Sequence, residues 1–189
     1  ALGELTQSRP KAMVEIQGQP LLGHIVSAYN GAGIKQITVV RGYLGDAIDL
    51  PGLTYVGNPE YANTGELVSL ACALQADPDN SRDLFVSFGD VIFKKYVLDL
   101  LSEQGDDLVI AVDTEWKDSA NRGRAADYVR CSEAHSRNDF YSRIILEQAA
   151  ENIPENNIHG EWMGLLLVKA AGLPRFRQVV QEMAAESDY

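Results

Sequence analysis

The sequence predicts an α/β fold: a mostly parallel central sheet covered by helices on both faces. Three observations predict it. Short apolar or β-branched runs alternate with segments of helical period, the loops joining them are brief, and "DLFVSFGD" reads as a buried strand. With 189 residues, 46% of them apolar, the chain can bury a core and is expected to form a single domain, 1–189.

The elements follow in order. Pro20 opens a helix in which Leu21, Leu22, Ile25, Val26 and Tyr29 share one face, and Gly31 and Gly33 close it. "GIKQITVVRGY" supplies a short strand at 37–40, and "LTYVGN" another. "GELVSLACALQA" is a helix with Leu67, Leu70, Ala71 and Leu74 on one face. The strand of "DLFVSFGD" ends at Gly89-Asp90, "KKYVLDLLSEQG" is a helix, and "DLVIAVD" is a further strand. Residues 116–160 break the rhythm: they are polar and read as a lid or an inserted β-ribbon. "EWMGLLLVKA" restores a strand, and "LPRFRQVVQEMAAE" closes with a helix.

The bulk composition excludes several classes. Sixteen basic against 27 acidic residues give a net charge of −11, and no basic stripe forms, so a nucleic-acid partner is not expected. No apolar run approaches the ~20 residues that span a bilayer, so no membrane partner is expected either. Cys72 and Cys131 lack metal-ligand spacing and read as reduced thiols of a cytoplasmic protein. His24, His135 and His159 form no nucleophile arrangement.

In parallel sheets the chemistry gathers just past the carboxyl ends of strands. That singles out Gly42, Asn58, Asp90, Asp113 and the surroundings of Glu161. Asp90 has two readings: a hard oxygen ligand for Mg²⁺, or the N-cap of the next helix. Lys11 follows Pro10, which fixes the approach of its loop. "NPEYANTGELVSL" runs into a helix start, where Asn63, Thr64 and Gly65 offer amide groups to a base or an anion, or where Asn63 or Thr64 simply caps the helix. Arg122, Arg124 and Arg130 are a cation group suited to a phosphate or phosphonate, or a solvated face for at least one of them. Trp116, Trp162, Tyr128 and Asp113 hold the ingredients of an aromatic cage for a quaternary amine.

Taken together, "LGELTQSRPKAMVEIQGQPLLGHIVSAYNGAGIKQITVVRGY", "NPEYANTGELVSL" and the strand-end "FGD" resemble the nucleotidyltransferases that make sugar nucleotides and CDP-activated head groups. "DYVRCSEA" and "IHGEWMGLL" narrow the resemblance to the phosphocholine and phosphonate cytidylyltransferase branch. The resemblance implies a three-layer α/β/α, Rossmann-like fold and transfer of CMP from CTP to a small phosphonate, with Mg²⁺ as cofactor. Phosphocholine or a sugar 1-phosphate is the alternative acceptor. A catalytically silent nucleotide-binding domain is the alternative of another class. By the same resemblance Lys11 binds phosphate groups at the reaction centre and Asp90 binds Mg²⁺. Asn58, Asn63, Thr64 and Gly65 lie by the nucleotide. From their own chemistry Asp113 and Arg130 are acceptor candidates, and Glu161 either faces the acceptor or serves as a second metal ligand. Some members of the branch are fused to a phosphoenolpyruvate mutase domain, which makes such a domain an expected partner. The family's first strand with its glycine-rich loop, and its C-terminal acidic strand, are absent from these residues, so the domain is expected to be incomplete at both ends.

Overall fold

Helix and strand alternate along the chain as the sequence pattern requires; the computed structural model describes residues 3–118, 126–138 and 143–186. The chain divides into two compact units, Ala1–Val109 with Leu167–Tyr189, and Ile110–Leu166.

In the first unit Pro10, at φ −66°, leads into a 3₁₀ turn at Lys11–Met13. Strands β1 (Glu15–Ile16) and β2 (Gln19–Pro20) form an antiparallel hairpin. Its turn residues Gln17 and Gly18 have φ of 53° and 80°, the doubly positive geometry of a type I′ turn. Helix α1 (Leu21–Gly31) buries Leu21, Leu22, Ile25 and Tyr29. It stops because Gly33 turns left-handed (φ 84°): the Gly33 N–H reaches Asn30 O at 3.1 Å and the Ile34 N–H reaches Tyr29 O at 3.0 Å. These two bonds satisfy carbonyls that the helix end would otherwise orphan.

Strands β3 (Thr38–Arg41) and β4 (Thr54–Gly57) pair in parallel, Thr38 opposite Thr54 and Arg41 opposite Gly57. The strand begins one residue later than its β-branched run suggests, yet Ile37 still accepts the Thr54 N–H at 2.9 Å. Helix α2 (Glu66–Ala76), strand β5 (Leu84–Ser87) and helix α3 (Lys95–Ser102) follow, and helix α4 (Leu173–Glu186) returns to the same unit. α2 and α4 meet through Ala71, Leu74 and Val180, flanked by Leu67, Leu70, Leu84 and Phe176. Arg177 of α4 donates to Leu74 O (2.5 Å), Asn80 Oδ1 (2.6 Å) and Asp79 O (2.9 Å), closing the carbonyl end of α2.

Tyr29 sits edge-on to Phe85 and Phe93, with ring centroids 6.2 and 5.4 Å apart. Burial pushes its phenol from the usual 10.0 up to about 12, against a smaller opposing pull from a hydrogen bond with Ser87. The fold therefore holds this proton more tightly than the unfolded chain does. That stability is fully present below pH 10 and is lost as pH rises towards 12. Wild type is expected to lose about 2–3 kcal/mol across that window that Tyr29→Phe does not lose. Urea unfolding of both proteins at stepped pH checks this, and equal slopes would refute it.

In the second unit, strands β6 (Leu108–Asp113) and β9 (Gly160–Val168) carry the chain in and out. β6 pairs with β9, β9 with β7 (Tyr128–Cys131), and β7 with β8 (Leu146–Ala150). Both pairings made by β7 are antiparallel, so the polar stretch does contribute a β-ribbon. Val129 and Cys131 turn to the buried side of β7, while Tyr128 and Arg130 turn to the other. Gly160 lets β9 approach β6: a Cβ there would lie 2.3 Å from Val112 Cγ1 and 2.9 Å from Asp113 O. Gly160→Ala is expected to cost about 2–3 kcal/mol by overpacking, read as a lowered urea midpoint; an unchanged midpoint would show that the strands can separate freely.

Among the described residues no helix is long and apolar enough to cross a membrane.

Candidate active site

Past the end of β5, Phe88 and Gly89 lead into a turn that carries Asp90. The N-cap of α3 is Lys94, so Asp90 does not cap that helix, and the capping alternative is withdrawn. Asp90 instead receives Lys11: the ammonium Nζ donates to Asp90 Oδ2 across 79 positions of chain. Pro10 fixes the backbone just before Lys11, and the Met13 N–H bonds back to Pro10 O at 2.9 Å, so the lysine leaves from a closed turn. The two side chains are 53% and 33% exposed. A solvated pair of this kind contributes about 0–1 kcal/mol to stability. It leaves an ammonium and a carboxylate side by side at the surface, one suited to phosphate oxygens and the other to a hard cation.

The loop from Asn58 to Gly65 is built around one amide. Asn58 is 3% exposed and is the single buried polar residue among those described. Its Nδ2 donates to Thr64 Oγ1 at 3.1 Å and to Ser69 Oγ at 3.0 Å, and its Oδ1 accepts the Glu60 N–H at 2.9 Å. Its backbone N–H reaches Arg41 O at 2.9 Å, so the loop is tied to the end of β3. Gly42 lies under Tyr61, with room for no Cβ: one would come within 2.6 Å of Tyr61 Cβ. Thr64 Oγ1 also donates to Glu60 O at 2.8 Å. That hydroxyl is occupied, and neither Thr64 nor Asn63 occupies the N-cap of α2. Gly65 stands at the N-cap with no side-chain bond, which corrects the expected cap. Asn63 is exposed beside this helix start, its N–H held by Glu60 O at 2.9 Å.

Lys11, Asp90 and this loop belong to the first unit; Asp113, Arg130 and Glu161 belong to the second. Within the second, Glu161 stands opposite Tyr128 in the β7–β9 register, on the same face as Tyr128 and Arg130. Arg130 Nε is held by Glu147 Oε2 at 3.1 Å. Asp113 ends β6, and its Oδ1 accepts the Glu115 N–H at 2.9 Å. The Trp116 and Tyr128 rings meet at a tilt of 59°, centroids 5.0 Å apart, so two members of the expected aromatic group do meet. Arg122 and Arg124 lie outside the described residues. His159 Nδ1 accepts the Cys131 N–H at 3.1 Å, a structural use of that ring. Burial, with Glu147 nearby, pushes the Cys131 thiol up, away from reactive thiolate.

Among the described residues no group of three or more His, Cys, Asp or Glu could hold a metal ion. The donor set therefore fits Mg²⁺ only in its usual guise, with one or two carboxylates from protein and the remaining ligands from phosphate and water. Asp90 meets that requirement.

Two residues of this site gave no sequence signal. Ser69 lies inside a helical pattern, where serine reads as neutral. Arg41 ends β3 with its guanidinium 4.0 Å from the Tyr55 ring centroid and its N–H groups on Gly45 O and Ile48 O. The Asn58–Ser69 and Arg41–Tyr55 contacts form only once the fold brings them together.

Comparison with known proteins agrees with this architecture. The profile of the MobA-like NTP transferase domain matches residues 4–182. The chain is 32% identical over 109 residues to CMP-5'-(3-aminopropyl)phosphonate synthase of Streptomyces rubellomurinus, a match covering 53% of this chain and 17% of that protein. It is 27% identical over 124 residues to CTP:phosphoglutamine cytidylyltransferase of Campylobacter jejuni, covering 59% of this chain and 47% of that protein. The chain thus spans less than half the length of either. Among solved structures, the inositol-1-phosphate CTP transferase from T. maritima superposes with a TM-score of 0.66 over 88% of this chain and 64% of that one, at 18% identity. That likeness is one of fold.

Proposed function

Because the chain belongs to the MobA-like NTP transferase domain family, we propose that it transfers CMP from CTP to a small phosphonate, releasing pyrophosphate. The observation that carries the reading is the Lys11–Asp90 pair, assembled from the closed turn after Pro10 and the turn after β5. Two relatives whose names specify CTP or CMP chemistry, one of them on a phosphonate, support the choice of nucleotide and acceptor.

In the proposed reaction an ionised phosphonate oxygen attacks the α-phosphorus of CTP. The new P–O bond forms as the bond to the α,β-bridging oxygen breaks, and pyrophosphate leaves with that electron pair. The acceptor is already anionic at neutral pH, so no general base is required, consistent with structural roles for His24 on Ile16 O and His159 on Cys131 N–H. What the protein supplies is position and compensating charge. The Lys11 ammonium neutralises phosphate oxygens. The Asn58–Gly65 loop holds the nucleotide, with Asn58 and Thr64 ordering it and Asn63 and Gly65 presenting amide groups. Asp90 would hold Mg²⁺, which when bound supplies charge neutralisation on the triphosphate. Asp113, Arg130 and Glu161 are the proposed acceptor-binding residues.

The test pairs each of the four nucleoside triphosphates with 2-aminoethylphosphonate, 2-hydroxyethylphosphonate, phosphocholine and glucose 1-phosphate, and measures pyrophosphate release with Mg²⁺. Release with CTP and a phosphonate alone is the expected result. Release with a sugar phosphate would keep the chemistry and replace the acceptor. Nucleotide binding without release from any pair would leave a silent nucleotide-binding domain.

A further inference from the structure

We propose that Ser69 is a positioning residue for the nucleotide, acting through Asn58; the inference rests on the reading of the Asn58–Gly65 loop given above. Ser69 lies at the first hydrogen-bonded turn of α2, where its own N–H faces Gly65 O at 3.5 Å. Its Oγ accepts one of the two Asn58 Nδ2 protons at 3.0 Å, and Thr64 Oγ1 accepts the other at 3.1 Å. With Oδ1 taken by the Glu60 N–H, both donors and the acceptor oxygen of the buried amide are engaged inside the protein. Asn58 therefore has no amide hydrogen left for a base. Its part is to fix the loop, and the fixing is shared between the loop itself (Thr64, Glu60) and the helix (Ser69).

The two anchors are not equivalent. Thr64 moves with the loop it belongs to, whereas Ser69 belongs to a helix packed through Ala71 and Leu74 against Val180 of α4. The Ser69 bond is thus what ties the loop's shape to a rigid element, and with it the placing of exposed Asn63 beside the start of α2. Losing it leaves a buried N–H without a partner, a cost the loop can relieve only by letting Asn58 move outward. The acceptor would not register that motion, because none of its proposed contacts belongs to this loop.

The experiment compares wild type, Ser69→Ala and Ser69→Thr in the full chain. It measures the nucleotide KM, the acceptor KM, kcat, nucleotide affinity at equilibrium by CTP titration in a calorimeter, and the thermal midpoint. Ser69→Ala is expected to raise the nucleotide KM and weaken CTP binding about tenfold, with kcat and the acceptor KM within about twofold. Ser69→Thr, which keeps the hydroxyl, is expected to restore them. Should Ser69→Ala fail to fold, Ser69→Cys replaces it, with the same split expected from a weaker acceptor. A lowered thermal midpoint with wild-type nucleotide KM in the folded fraction would make Ser69 merely structural and overturn the proposal. Equal CTP affinity in all variants would overturn it too while leaving the wild-type transfer reaction standing. A wild type that neither binds nor turns over any nucleoside triphosphate would instead remove the nucleotide reading, and this inference with it.

Discussion

Asp90→Asn is expected to lower kcat for pyrophosphate release about a thousandfold, with the thermal midpoint shifted by no more than about 4 °C. The two halves of that expectation come from the same geometry. Asp90 makes one ion pair, with Lys11, in which the side chains are 33% and 53% exposed, and it does not cap α3. Little folding energy hangs on it. Its carboxylate is nonetheless the group proposed to hold Mg²⁺, and asparagine keeps the shape while removing the charge. Stripping divalent cations from wild type with a chelator should produce a comparable loss, reversed by adding Mg²⁺. The variant should recover only part of its rate as Mg²⁺ is raised, because a neutral amide oxygen is a weak ligand for that cation. An Asp90→Asn enzyme within tenfold of wild type at ordinary Mg²⁺ would overturn the proposed metal-binding role of Asp90.

What could be read from the chain depended on how far apart the cooperating residues lie. α1 was legible because each of its signals is local: Pro20 before it, Leu21, Leu22, Ile25 and Tyr29 on one face, and Gly33 at the left-handed stop. The same holds for α2 and α4, whose buried residues recur at helical spacing. The cap of α2 was misplaced for a reason that sequence spacing does not contain. Thr64 is a good N-cap residue, but its hydroxyl is engaged by Asn58 and Glu60, and the cap position passes to Gly65. The strand-end positions of Asn58 and Asp90 followed from the strand–loop–helix rhythm. Their partners did not, since 79 positions separate Lys11 from Asp90 and 11 separate Asn58 from Ser69. Placement after a strand offered Mg²⁺ as one of two readings of Asp90; the family resemblance chose between them and assigned Lys11 to phosphate. The structure adds that the two side chains touch each other.

That contact leads to the second large effect. Lys11→Ala is expected to lower kcat/KM for nucleotidyl transfer about a hundredfold or more, and at the same time to increase the affinity of the nucleotide-free protein for a divalent cation. One substitution should move the two quantities in opposite directions. The reason is that the lysine has two uses that compete for one charge. In the structure its ammonium lies on Asp90 Oδ2 and offsets the carboxylate's charge. With nucleotide, the proposed role of that ammonium is on phosphate oxygens, which compete with Asp90 for its charge and its three N–H donors. The exposure of both side chains makes the exchange inexpensive, since the pair they give up is worth about 1 kcal/mol or less. Alanine at position 11 removes the charge from the transfer reaction and uncovers the carboxylate permanently. Mn²⁺ titration followed by electron paramagnetic resonance reads the second effect without any turnover, and a gain of up to about fivefold is the size that 1 kcal/mol allows. Lys11→Ala should therefore bind Mn²⁺ more tightly than wild type and transfer CMP poorly, while Lys11→Ala/Asp90→Asn should bind it no better than Asp90→Asn alone. If Lys11→Ala gained no Mn²⁺ affinity, the ion pair would not compete with a cation for Asp90. If it transferred CMP at the wild-type rate, Lys11 would have no part in handling phosphate.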